Sequence, residues 1–146
     1  MTKILFTILS LSTLLLVLTS CKSTKYATPS ESPDAQITFG SGGGISGLVN
    51  DYTLLENGQL FKRSSTDKIF VALKKAKKDA VSQAFKNYNF LGLNTMEVNE
   101  PGNMYYFIEH KSKEGETKRL TWGNGESPHE EKLKLYYSLL SNLIEK

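Results

Sequence analysis

Cysteine is nearly absent from this chain of 146 residues: Cys21 is the single one. No intramolecular disulfide is available, so the fold must stand on packing and hydrogen bonds. Histidine is almost as scarce, with only His110 and His129. A zinc site wants three or four ligands, often two histidines one helical turn apart. No His-Glu-x-x-His occurs, and both histidines read as surface residues with no metal to hold. No Gly-Lys-Ser/Thr occurs either, which removes the P-loop of nucleotide hydrolases. Neither sign of charge dominates: 18 Lys and Arg stand against 15 Asp and Glu. So even a mixture leaves no basic footprint for nucleic acid. The length allows one domain.

What is present at the start is an apolar run. Lys3 precedes Ile4 to Leu18, and two small residues, Thr19 and Ser20, lead into Cys21. At ~1.5 Å per residue the run spans about 23 Å, short of the ~30 Å of a bilayer core. This is the layout of a cleaved secretory signal over residues 1–20. Leu18-Thr19-Ser20-Cys21 resembles the lipobox of bacterial lipoproteins. The resemblance implies a thioether-linked diacylglycerol on Cys21, cleavage before it, acylation of the new N-terminus, and a membrane partner reached through that lipid. Two or three acyl chains, at ~0.8 kcal/mol per buried CH₂, anchor a protein durably where one does not. Lys22-Ser23-Thr24-Lys25 lack the acidic cluster associated in some bacteria with export to the cell surface, which favours a periplasm-facing lipoprotein. Residues 21–34 carry two prolines and little to bury, and read as a tether.

The domain is expected over residues 35–146. Ile37 and Phe39 alternate with polar residues as a strand. Leu48–Leu55 and Leu60–Ser64 flank Asn57-Gly58, a strong hairpin signal. Ile69, Val71 and Leu73 line one face of a further strand. Ala76, Ala80, Val81, Ala84, Phe85 and Tyr88 fall at helical spacing. Met104–His110 and Thr117–Trp122 pair across Lys113-Glu114-Gly115-Glu116. A last helix starts at a capping box, Ser127 with Glu130 around Pro128, and buries Leu133, Tyr136, Tyr137, Leu140 and Ile144. The expected fold is α+β: a mainly antiparallel sheet in the order β-β-β-β-α-β-β-α, with two helices on one face.

The candidate site is the segment Gly40-Ser41-Gly42-Gly43-Gly44-Ile45-Ser46-Gly47, read as a glycine-rich loop. Gly42, Gly44 and Gly47 match G-x-G-x-x-G, but a dinucleotide site needs a helix next, and Leu48–Thr53 reads as strand. Five glycines in eight residues exceed the need of one tight connection. A flat backbone that another chain can approach, with amides free to bond it, is the functional reading. The strand, the glycine triplet, the further glycine and the next strand, Ile37 to Leu55, resemble the start of emfourin-type proteins. Those are small α+β inhibitors of thermolysin-like metalloproteases, and the resemblance implies a protein partner engaged by this loop.

Other features are weaker. Lys74-Lys75-Ala76-Lys77-Lys78 reads as a solvated helix start, with contact to anionic headgroups as the alternative. Trp122 reads as a core anchor; exposed beside Tyr105 or Tyr106 it would bind peptide or glycan. Serines are plentiful, yet neither histidine sits in a nucleophile–base signature. The spacing of Asp51, Glu56, Glu97 and Glu109 singles out no acid–base pair. The expectation is therefore a non-catalytic binding module, with no cofactor and no nucleic-acid partner. A purely structural envelope protein and a small hydrolase are the alternatives.

Overall fold

The computed structural model describes residues 24–144 apart from residue 126. The signal and Cys21 lie outside the described residues. A 3-10 turn, Pro29–Glu31, precedes strands β1 (Gln36–Gly43), β2 (Leu48–Leu55), β3 (Leu60–Ser64) and β4 (Val71–Ala72). Helix α1 (Lys78–Phe90) and a 3-10 turn, Leu93–Thr95, follow. Then come β5 (Asn99–Glu100), β6 (Met104–Lys111), β7 (Thr117–Trp122) and helix α2 (Glu130–Ser141). The fold is α+β. Among the described residues the strands form one sheet in the order β4-β3-β2-β1-β6-β7-β5.

Four details differ from the sequence expectation. The sheet is mixed, because β5 adds a two-residue strand parallel to β7. Residues 68–73 contribute only Val71–Ala72 to the sheet, with Ile69 and Val71 exposed. Glu130 closes no capping box: His129 caps α2 without a side-chain bond, and Glu130 pairs with Lys134 at 2.8 Å. The described part of the expected tether is held against the domain. Tyr26 exchanges both main-chain hydrogen bonds with the Gln59 carboxamide, at 2.8 and 2.9 Å, and Asn57 Nδ2 donates to Thr24 O at 2.9 Å. Farther on, Gln36 Nε2 donates to Pro29 O at 2.7 Å. Polar side chains hold this segment, together with the buried Pro29.

One core lies between the sheet and its helices. Ile37 and Phe39 of β1, Leu54 of β2, Leu60 of β3, Ile108 of β6, and Leu120 and Trp122 of β7 supply the sheet side. Val81, Ala84 and Tyr88 of α1 and Leu133, Tyr136 and Leu140 of α2 complete it. Each Val, Leu, Ile or Phe side chain among them, fully buried, stabilises by about 1.5–3 kcal/mol. Tyr136 also ties the helices together, its hydroxyl donating to Ala84 O at 3.0 Å. Burial pushes its phenol far up and leaves it a permanent donor.

By alternation, β1 turns Gln36, Thr38, Gly40 and Gly42 to the other face. Helices α1 and α2 pack on the opposite face, against Ile37 and Phe39. Long side chains shield the apolar rings of the Gly40 face: the Arg119 guanidinium lies 3.7 Å from the Phe107 ring centroid, and Arg63 lies 5.1 Å from that of Phe70.

Candidate functional site

The glycine-rich segment is mostly strand. Gly40 to Gly43 belong to β1, which is paired with β2 on one side and β6 on the other. This corrects the reading of 40–47 as a loop: only Gly44, Ile45, Ser46 and Gly47 lie between β1 and β2. It also corrects the idea of free amides. Gly44 N–H donates to Asn103 O at 2.8 Å, and Gly47 N–H to Gly44 O at 3.2 Å.

The fold itself requires glycine within the strand. A Cβ on Gly40 would sit 2.2 Å from Asn50 O and 3.0 Å from Phe107 Cζ. A Cβ on Gly42 would lie 2.7 Å from the Tyr105 hydroxyl oxygen. Phe107 and Tyr105 are the cross-strand neighbours of these two glycines, so the rings lie over the space that the missing side chains leave. Gly43 has φ of 98° and its Cβ would meet Asn103 O at 2.2 Å, so no other residue fits there without rearrangement.

What the strand pairing leaves open is the side-chain surface around the turn. Beyond the helices, the helix-side face of the sheet ends in an uncovered shelf. Ser41 and Gly43 form its floor. Leu48 and Asn50 flank that floor on β2, and Met104 and Tyr106 flank it on β6. Leu48 is 46% exposed, Met104 54%, Tyr106 41%, and Ile45 at the turn is entirely exposed. Isolated exposed apolar residues need no explanation, but four clustered at one end of a sheet form a patch.

Aromatic packing makes the inner end of the shelf rigid. Tyr137 of α2 meets Tyr106 edge-on at 5.3 Å, Trp122 at 5.8 Å and Phe39 at 5.9 Å between ring centroids. Tyr106 stacks on Trp122 at 5.9 Å. Burial raises the Tyr137 phenol above the usual tyrosine range, against a hydrogen bond from Ser41 that lowers it. Trp122 itself is buried, so it anchors the core and presents no face to a ligand. Its neighbour Tyr106 is the exposed aromatic.

The four carboxylates considered for acid–base chemistry each face a cation. Arg63 Nη2 lies 2.7 Å from the buried Asp51, and Lys113 lies 2.7 Å from Glu56. Lys118 lies 2.7 Å from Glu97, and Arg119 lies 3.2 Å from Glu109. They are structural ion pairs spread over the sheet, not two acids sharing a site. Among the described residues, no group of three or more His, Cys, Asp and Glu converges to hold a metal.

His110 differs from the surface residue expected. It is half-buried, stacked on Tyr88 at 4.5 Å with Phe85 edge-on at 6.3 Å. It lines a polar cleft of about 440 Å³ with Asn89, Asn94, Ser112 and Lys118. Burial lowers its pKa from 6.5, partly opposed by Glu56. The same kind of burial pushes the Tyr88 phenol up to about 12. A folded-state pKa below the unfolded one means the unfolded chain binds more protons, so His110 lowers stability as pH falls through 6.5. Thermal midpoints measured across this range should fall less steeply for His110→Gln than for the parent; equal slopes would contradict the burial assigned here.

The sequence matches no family model and no curated protein. The functional reading accordingly comes from the geometry of the shelf.

Proposed function

We propose that this chain is a lipid-anchored lipoprotein of the bacterial envelope, periplasm-facing, whose domain is a non-catalytic protein-binding module. Cys21 carries the lipid, and the partner docks on the turn Gly44–Gly47 and the shelf beside it. Inhibition of an envelope protease is one version of this role. The observation that carries the reading is the cluster of Ile45, Leu48, Met104 and Tyr106, exposed on a backbone that aromatic packing keeps rigid. A preformed apolar patch loses little conformational entropy on binding. Gly43 in the floor lets a partner chain approach the sheet closely. Attachment is assigned to the lipid on Cys21, which the Leu18-Thr19-Ser20-Cys21 segment supports.

A photo-crosslinking residue at Ile45, in protein expressed in its own envelope, should give a discrete adduct. The same residue at Asn57, in the turn at the other end of the sheet, should not. Equal labelling from both positions, or none from Ile45, would overturn the reading. In the inhibitor version, the mature chain should slow a thermolysin-like metalloprotease, and Leu48→Lys should abolish the effect.

A further inference from the structure

We propose that the end of the domain opposite the turn is a cationic seat for anionic lipid headgroups, formed by Lys25, Lys74, Lys77 and Lys78. The placement of the chain carries the argument. Lys25 is held against the β2–β3 turn by its neighbours: Asn57 bonds to Thr24, and Gln59 to Tyr26. The segment that follows β4 passes the same turn, with Ala76 N–H donating to Gly58 O at 2.9 Å. Thr24, Lys25 and Lys75 line one cleft of about 500 Å³. The lysine run and the start of the described chain therefore share one pole. Cys21 is three residues before Thr24, and three residues of chain reach at most about 11 Å.

Lys77 and Lys78 stand at the N-terminus of α1, where cations oppose the helix dipole. Lys77 caps the helix without a side-chain bond. Lys25, Lys74, Lys77 and Lys78 are all exposed. The acids nearby are largely engaged: Glu56 pairs with Lys113, and Glu31 accepts from Ala27 N–H and the Thr28 hydroxyl. Asp79, in the first turn of α1, is a local counter-charge. β1 runs eight residues away from this pole, about 26 Å, so seating it on the bilayer turns Ile45 away from the membrane.

The orientation, though not the lysine surface itself, rests on acylation of Cys21. The test therefore uses the mature chain, residues 21–146, with Cys21→Ser, so its failure is separable from failure of the lipid anchor. Partition is measured on phosphatidylcholine vesicles with and without phosphatidylglycerol, at low salt. Each lysine near an anionic surface contributes about fivefold in partition. Lys74→Gln with Lys77→Gln and Lys78→Gln should weaken binding to the anionic vesicles by at least about tenfold. The matching arginine variant should retain it, and both should keep the parent's thermal midpoint. Equal binding by parent and glutamine variant, equal binding to neutral vesicles, or saturable competition by millimolar inorganic phosphate would each overturn the proposal. The last would mark a discrete anion site.

Discussion

Gly40→Val is expected to unfold a large fraction of the protein. Its Cβ would sit 2.2 Å from Asn50 O and 2.9 Å from Asp51 Cα, both backbone atoms of the neighbouring strand. Backbone cannot rotate away as a side-chain tip can. β1 is held on both sides, so relief would require breaking its pairing with β2 or β6. The cost should exceed about 4 kcal/mol, out of a total of about 5–15 for a domain. Gly47→Ala is the informative control. Nothing lies within 4 Å of its Cβ, and only the positive φ of 59° resists the change. It should cost about 1–2 kcal/mol. Urea denaturation distinguishes the two. If both variants cost the same small amount, residues 40–43 are not strand.

The second large effect is on binding. Leu48→Lys combined with Met104→Lys should leave the fold intact and remove partner binding. Both side chains are about half exposed, so their loss costs the core little, within about 1 kcal/mol. Across an interface the same lysines would be desolvated without partners, and affinity should fall by at least about a hundredfold. Gly43→Val would be a poor probe of the same surface. Its Cβ would strike Asn103 O at 2.2 Å, so lost binding could not be separated from lost folding. Retained affinity in the double lysine variant would move the binding surface elsewhere.

Patterns that rest on local physics were legible in the sequence. The alternation of Ile37 and Phe39 and the helical stripe of Val81, Ala84 and Tyr88 each report a buried face through their own spacing. The Asn57-Gly58 turn is equally local, with Gly58 N–H donating to Leu55 O at 2.8 Å. The glycine run was not legible in this way. A strand with glycine at 40, 42 and 43 is poor by its own propensity. It becomes a central strand because Tyr105 and Phe107, more than sixty residues later, pack over it. The shelf was missed for a related reason. Leu48, Met104 and Tyr106 alternate like core residues, and only the placement of the helices leaves them uncovered. One weak signal was available: Gly43 stands where β1 would otherwise carry a side chain on this face. The hold of Gln59 on Tyr26 was not legible either, because it is a polar tie that composition does not reveal.

These findings share one axis: a proposed anchored, lysine-bearing pole at one end of β1 and an apolar, partner-facing end at the other. In this proposal the lipid on Cys21 fixes which end faces the bilayer. Intact mass spectrometry of the protein extracted from its native membranes tests this most directly. The predicted product begins at Cys21 and carries the added mass of a diacylglyceryl group, with or without a further acyl chain. A product that retains Met1, or one that begins at an unmodified Cys21, would contradict the account.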